Sequence, residues 1–129
     1  MTYEQAAEIA DAYAAKLTTP VVFGIRVDAK GKKSFDESHK WARWGDWTDE
    51  TYEGACAVKI GDIDDFERNF LNAVAVAKSW YMDDMESGDE RDRCIYLVAG
   101  EQVDDARIED YGTADEVILA DCEAVAVIN

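Results

Sequence analysis

The amino-acid sequence predicts an α+β fold, in which a mostly antiparallel, twisted sheet of five or six strands is covered on one face by a long helix, with a second helix at the N-terminus. Two segments, near residues 3–17 and 62–86, carry apolar residues at helical spacing. Six shorter segments show the apolar or alternating pattern of strands. Because helices and strands do not alternate strictly, their order favours α+β over a βαβ arrangement. At 129 residues, the chain is expected to form one domain, residues 1–129.

The N-terminal segment predicts a helix over residues 3–17, followed by a strand over residues 21–27. Thr2 and Gln5 have the spacing of a capping box at the start of the helix. Pro20 ends it, because the residue before a proline avoids the helical conformation. Gly31 can supply the positive φ of a tight turn, so a strand within residues 34–44 is expected to form a hairpin with the first strand.

The longest predicted element is a helix over about residues 62–86. Asp62 or Asp64 can cap its start, and Ser87 with Gly88 marks its expected end. One face is predicted to be buried, with Leu71 and Trp80 widening it. The residues of this stripe are Ile63, Phe66, Phe70, Val74, Ala77 and Tyr81.

Four more strands and one short acidic segment account for most of the remaining chain. Residues 52–60 alternate in polarity, which is typical of a half-buried strand. Residues 94–99 are apolar throughout, so this strand and residues 21–27 are expected at the centre of the sheet. Residues 103–111 predict a short acidic helix or turn. Residues 117–120 and 124–128 predict two strands, joined as a hairpin around Asp121.

The charge of the chain is its most unusual property. It carries 29 acidic and 13 basic residues, a formal net charge of −16. Such a field repels nucleic acid and anionic lipid and attracts basic protein surfaces, so no direct nucleic-acid or membrane partner is expected. No apolar run reaches the roughly 20 residues that span a bilayer. The N-terminus also lacks the pattern of a signal peptide, so a cytoplasmic location is predicted.

Metal, cofactor and catalytic sites find little support in the sequence. Cys56, Cys94 and Cys122 are far apart and lie in apolar runs, which predicts reduced thiols within the core. His39 is the only histidine, which leaves too few ligands for a zinc site. Residues 83–94 resemble a calcium loop at one glycine but lack two of its oxygen ligands. No nucleophile, base and oxyanion donor occur together, so we expect neither a cofactor nor catalysis.

Acidic residues cluster at the end of the long helix and after the strand that follows. Carboxylates three or four positions apart on a helix lie about 5–6 Å from one another, a spacing close to that of successive phosphates in a nucleic-acid strand. Such an array can occupy a basic groove, as in small phage-borne blockers of restriction or CRISPR nucleases. The alternative is a solvated acidic surface in a soluble or halophilic protein. The predicted partner-binding acidic residues are Asp83, Asp84, Glu86, Asp89, Glu90, Asp92, Asp104, Asp105, Glu109 and Asp110.

The segment between residues 26 and 43 is rich in basic residues, unlike the rest of the chain. Trp41, Trp44 and Trp47 lie at its end and just after it and could anchor a protein partner, since tryptophan and arginine dominate interfaces. Alternatively, the tryptophans close one edge of the core and the lysines protect an exposed strand edge. Two copies of the chain could also meet at this hairpin. Its basic residues are Arg26, Lys30, Lys32, Lys33, Lys40 and Arg43.

Three classes of function therefore stay open. The favoured hypothesis is an acidic, non-catalytic inhibitor that binds a nucleic-acid-handling enzyme by mimicking its substrate. The second is a structural or adaptor protein that binds through the tryptophan-rich hairpin. The third is a small enzyme that uses His39 or a cluster of carboxylates with perturbed pKa values.

Overall fold

The computed structural model of the chain describes residues 1–35, 37–40, 51–82, 92–103, 109–110 and 114–129, of which 37–40, 51–53 and 109–110 are described by their backbone alone. A 3-10 turn, Ile63–Asp65, precedes the second helix, and a π-helical turn, Lys78–Met82, follows it. The elements of the described residues are α1 (Tyr3–Ala15), β1 (Val22–Ala29), β2 (Glu37–Lys40), β3 (Thr51–Gly61), α2 (Phe66–Ala77), β4 (Arg93–Gln102), β5 (Glu109–Asp110) and β6 (Asp115–Val127).

Four of the strands close into an antiparallel barrel. Around the ring the strands follow the order β3, β1, β4, β6. Strand β6 closes the ring by pairing with β3, from Ala55 opposite Leu119 to Val58 opposite Glu116. The short strands β2 and β5 extend β3 and β6 outside this ring. The prediction of an open, five- or six-stranded twisted sheet packed by a long helix is therefore wrong. A barrel without free edges satisfies the backbone groups that an open sheet leaves unpaired.

Strand β6 makes the closure, and its shape differs from the prediction. The expected hairpin around Asp121 is instead one continuous strand of 13 residues. Asp121 adopts a positive φ of 51°, and the β4–β6 register shifts beside it, between Ala99 and Glu101. This irregularity bends the strand without reversing it, as a β-bulge does. The first part of β6 can therefore pair with β3 while its later part pairs with β4.

The barrel separates two apolar cores. The outer core lies between the strands and the two helices and includes Phe23, Ile25 and Leu97. The inner core, on the face away from the helices, combines Tyr96 with small side chains such as that of Ala57. Strand β3 buries residues on both of its faces, so the predicted half-buried strand is wrong here. A ring of only four strands leaves little room inside, which explains the small side chains.

The N-terminal helix follows its local sequence signals. The Gln5 amide donates to Thr2 Oγ1 at 3.2 Å and the Thr2 amide donates to Gln5 Oε1 at 2.9 Å, which confirms the predicted capping box. The helix ends at Ala15, before the predicted residue 17. It packs beside α2, where Tyr3 contacts Phe70 at a ring-centroid distance of 6.2 Å.

The predicted long helix is continuous from residue 63 to residue 82, but it is not α-helical throughout. Its α-helical part covers Phe66–Ala77, and the 3-10 and π turns occupy residues 63–65 and 78–82. The Asp62 side chain accepts hydrogen bonds from the amides of Asp64 and Asp65 at 3.0 and 3.1 Å, as expected of a cap. The expected end at residues 87–88 lies outside the described residues. Leu71 does not widen the buried face, because 65% of its surface is exposed.

Four further predictions concern the strands and the segments that join them. Gly31 has the expected positive φ of 86°. The predicted hairpin with the first strand is wrong, because β2 pairs with β3 while β1 lies between β3 and β4. β1 and β4 each pair on both sides, but β3 and β6 do so as well, so the closed ring has no central strands of the kind predicted. The acidic segment 103–111 contains strand β5 at residues 109–110, where a helix or turn was expected.

In the part of the chain that the structure describes, no helix is long and apolar enough to cross a bilayer.

The close approach of β4 and β6 predicts that Gly100 tolerates no side chain. A Cβ atom at this position would lie 2.6 Å from the Ala120 carbonyl oxygen and 3.0 Å from Leu119 Cβ. We expect Gly100→Ala to lower the free energy of unfolding by about 1–3 kcal/mol, because the backbone must shift to admit the methyl group. Urea denaturation measures this change.

Gly31→Asn is the matched control for that variant. A Cβ atom at Gly31 meets nothing within 4 Å, and asparagine accepts its positive φ more readily than most residues do. We expect Gly31→Asn to lower the free energy of unfolding by less than about 1 kcal/mol. Equal stability of Gly100→Ala and the wild type would contradict the close packing of this seam.

Candidate protein-binding surface

The predicted acidic residues fall mostly outside the described part of the chain. Asp92 is exposed at the start of β4, and its carbonyl oxygen accepts a hydrogen bond from the Lys30 amide at 3.0 Å. Glu109 and Asp110 form β5, whose backbone pairs with Asp115 and Glu116. Because β4 and β6 are antiparallel, Asp92 at the start of β4 and β5 at the start of β6 lie at opposite ends of this strand pair, so the pairing does not bring these acidic residues together. The residues outside the described ranges are Asp83, Asp84, Glu86, Asp89, Glu90, Asp104 and Asp105.

The tryptophan-rich segment lies next to strand β2. Trp41, Trp44 and Trp47 lie outside the described residues. The backbone of His39 is described and lies opposite Tyr52 of β3. In the sequence, this segment connects β2 to β3.

The basic hairpin residues are partly used within the fold. Arg26 Nη2 lies 2.8 Å from Asp28 Oδ2, and these side chains are only 13% and 11% exposed. Arg26 Nη1 also donates to the Cys56 carbonyl oxygen at 2.9 Å. Lys32 Nζ lies 3.3 Å from Asp28 Oδ1. Two of the cations that the sequence offered for a partner are therefore engaged by a buried carboxylate.

The environment of Asp28 holds it in its charged form. Burial acts to raise its pKa, but the Ala29 amide and the cations of Arg26 and Lys32 oppose this, and the net pKa is lowered. The Ala29 amide donates to Asp28 Oδ1 at 2.7 Å. A charged carboxylate is required here because it is the counter-ion of a largely buried guanidinium.

Aromatic residues complete this ionic group. The Arg26 guanidinium carbon and Lys32 Nζ lie 5.4 and 5.8 Å from the centroid of the Phe35 ring. Phe35 meets Tyr96 edge to face at 5.1 Å. The Tyr96 hydroxyl donates to the Ala29 carbonyl oxygen at 2.6 Å and accepts from the Lys32 amide at 3.2 Å. These contacts fix the β1 turn on the barrel, which assigns the group a structural role.

A second polar group lies where the π turn meets the barrel. The Tyr81 hydroxyl is buried and has no well-formed hydrogen bond among the described residues. Burial, and then the nearby Glu116 carboxylate, raise the pKa of Tyr81. The Cys56 thiol is half-buried, while Cys94 and Cys122 are buried, and all three are free thiols. At neutral pH the Tyr81 phenol therefore stays protonated and can act as a hydrogen-bond donor.

The described residues form two open grooves but no candidate metal centre. No group of three or more His, Cys, Asp or Glu side chains in these ranges is arranged to hold a metal ion. Two open grooves of about 310 and 400 Å3 lie on the helical side. The smaller is lined by the end of α1 and by residues 18–21, and the larger by α2 with both chain ends.

The structure adds an acidic face that the sequence interpretation missed. Glu4, Glu8 and Asp11 are exposed on α1 at spacings of four and three residues, so they lie along one side of the helix. Glu67 of α2 lies beside Tyr3. Burial, and then the Glu67 carboxylate, raise the pKa of Tyr3, and Glu4 and Asp11 add smaller effects in the same direction. The α1 spacing was readable from the sequence, whereas the position of Glu67 depends on helix packing.

No protein-family model matches the chain, and neither curated proteins nor solved structures show significant similarity to it.

The pKa of Asp28 predicts how stability depends on pH. Because this pKa is lower in the folded than in the unfolded state, the stabilisation is present at neutral pH and is lost as the pH falls from about 4 through the folded pKa. Asp28→Asn should lower the free energy of unfolding at neutral pH by about 2–3 kcal/mol, because Arg26 loses its counter-ion. Urea denaturation at neutral pH and at about pH 3 should show that the difference in free energy of unfolding between the wild type and Asp28→Asn is smaller at the acidic pH.

Asp65→Asn is the matched control. Asp65 pairs with Arg68 at 2.7 Å, but the two side chains are 38% and 76% exposed. Exposed ion pairs contribute little to stability, so we expect Asp65→Asn to change the free energy of unfolding by less than about 1 kcal/mol. An equal effect of the two variants would contradict the special role of the Asp28 group.

Proposed function

We propose that this chain is an acidic, non-catalytic inhibitor that binds a basic groove of a nucleic-acid-handling enzyme in place of the nucleic acid. The observation that carries the proposal is the net charge of −16, which is far larger than the magnitude of about 2–8 that keeps a small domain soluble. A field of this sign and size favours encounter with basic protein surfaces.

The proposal depends on the excess of carboxylates over cations and not on how the cations pair. Arg26 and Lys32 contact Asp28, and Arg68 contacts Asp65, and each such contact uses a carboxylate as well as a cation. The chain therefore keeps its net charge of −16, while the segment 26–43, with six cations and three acidic residues, is locally basic.

The spacing of exposed carboxylates gives further support. On α1, Glu4, Glu8 and Asp11 follow one another along one side of the helix, at separations of about 5–6 Å. The same spacing occurs in the sequence between residues 83 and 110, which we propose as the principal contact region. In the proposal, the tryptophans at 41, 44 and 47 add apolar anchoring at its edge.

The proposal includes a cytoplasmic location and a partner of the restriction or CRISPR nuclease type. Such enzymes bind nucleic acid through lysine and arginine residues that contact phosphates. A carboxylate array competes for those same cations. Free thiols at all three cysteines agree with a reducing compartment.

Affinity capture from a host lysate at low and high salt tests this function. We expect the chain to retain a nucleic-acid-handling protein at low salt and to release it at high salt. Attraction between exposed charges is screened beyond about 8 Å at physiological ionic strength, so affinity should fall steeply above it. Binding that is insensitive to salt and is lost in Trp44→Ala would instead favour an adaptor that uses the tryptophan-rich hairpin.

A pair of charge-matched variants tests the location of the contact. The first replaces Asp83, Asp84, Asp89 and Asp92 with Asn, and we expect it to abolish binding of the captured partner. The second replaces Glu4 and Glu8 with Gln and Asp11 and Asp64 with Asn, which removes the same amount of charge from the helical side. We expect it to retain most of the affinity, as measured by calorimetric titration.

Circular dichroism and urea denaturation should show that both variants fold like the wild type. Undiminished affinity of the first variant would refute the mimicry. An equal loss in both variants would refute the proposed contact region, since it would mean that net charge alone governs binding.

A further inference from the structure

The outward side of α2 carries an apolar stripe that the fold does not cover. Leu71 is 65% exposed, more than any other large apolar residue in the described ranges. Val74 is half-buried and Ala75 is exposed on the same side of the helix. At 3.6 residues per turn, Leu71 and Ala75 lie well away from Phe66, Phe70, Ala73 and Ala77, which face the outer core. Val74 lies at the edge of the core face and packs partly against the outer core. Leu71 and Ala75 thus form a small second apolar face that Val74 borders.

The apolar stripe borders the larger of the two grooves. This groove of about 400 Å3 is lined on one side by Phe70, Leu71 and Val74, and on the other by Met1 and Ile128. The N-terminal ammonium group of Met1 donates to the Ile128 carbonyl oxygen at 3.1 Å, which fixes the far wall. An apolar side chain of leucine size can enter such a groove.

Opposite charges close the two ends of the stripe. Glu67 lies at its N-terminal end and Lys78 at its C-terminal end, and both are exposed. Among the described residues, neither forms an ion pair. Glu67 and Lys78 are equally distant in sequence from the middle of the stripe, and so are Leu71 and Val74. The pattern is therefore self-complementary when the helix is laid antiparallel against itself.

We propose that this face of α2 pairs with the same face of a second copy of the chain, antiparallel about a twofold axis near the middle of the helix. Glu67 then faces Lys78 of the second copy, and Leu71 faces Val74 of the second copy. Each contact occurs twice, as a twofold interface requires. The small side chain of Ala75 lets the helices approach within the usual 8–10 Å between axes, a distance that apolar contacts favour.

The net charge shapes the strength of this dimer. The two copies repel each other because each carries a charge of −16. Salt screens this repulsion more than it weakens the short ion pairs, so dimerisation should strengthen as salt is added. The helix of 12 residues is about 18 Å long, which makes the contact modest in size. We therefore expect a reversible, concentration-dependent dimer.

Sedimentation equilibrium over a concentration series, at low and moderate salt, tests the proposal. We expect Leu71→Asp to raise the dissociation constant of the dimer at least about tenfold, because it places a charge in the apolar stripe. Leu17→Asp is the control, since Leu17 is 38% exposed and lines the other groove. It should leave the dimer unchanged. Both substitutions are at exposed positions, and circular dichroism checks that both variants fold.

A charge-exchange experiment tests the antiparallel arrangement directly. Glu67→Lys alone places two lysines opposite each other, and Lys78→Glu alone places two carboxylates opposite each other, so each variant should dimerise more weakly than the wild type. An equimolar mixture of the two variants restores both ion pairs in a mixed dimer. Its total charge equals that of the wild-type dimer, so recovery in the mixture cannot reflect a change in net charge.

Three results would overturn the proposal: a monomer at every concentration, a dimer that Leu71→Asp does not weaken, or a mixture that associates no better than its components. These outcomes leave the proposed inhibitor function untouched, because capture of a basic enzyme weakens with salt, whereas this dimer strengthens with it.

Discussion

The pairing of β3 with β6 is the interaction on which the rest of this structure depends. It converts a row of strands into a closed barrel, and it does so through a strand of 13 residues that bends at Asp121 without reversing. Closure fixes which face of every strand points inward. It also explains the small residues of the inner core, since four strands enclose too little space for large side chains from every position.

The same closure determines where charge is placed. Arg26 and Asp28 alternate with Phe23, Ile25 and Val27 along β1, so they lie on the side away from the helices. There Asp28 holds Arg26 and Lys32, and Phe35 packs against both cations. A fold that uses cations for its own packing and displays carboxylates on α1 presents a negative surface to other molecules. This division of charge is the physical basis of the proposed binding function.

Helix α2 connects the scaffold with the outer surface. One side supplies Phe66 and Phe70 to the outer core, where Phe66 meets Phe23 edge to face at 5.6 Å. The other side exposes Leu71 between two opposite charges. The two proposed interactions thus rest on different chemistry, because the first depends on long-range charge and the second on contact between matching apolar and charged groups.

The sequence by itself determined the features that depend on neighbours a few residues apart. These include the capping box of Thr2 and Gln5, the cap at Asp62, the positive φ of Gly31 and the positions of most strands, along with the net charge. Tertiary structure decided barrel closure, the burial of Asp28 beside Arg26, the exposure of Leu71 and the approach of Glu67 to Tyr3. Each of these needs contacts between distant segments, such as Ala55 with Leu119, and local periodicity carries no information about which distant segments meet. For the candidate surface, the sequence likewise predicted which acidic residues are present but not how they are arranged in space.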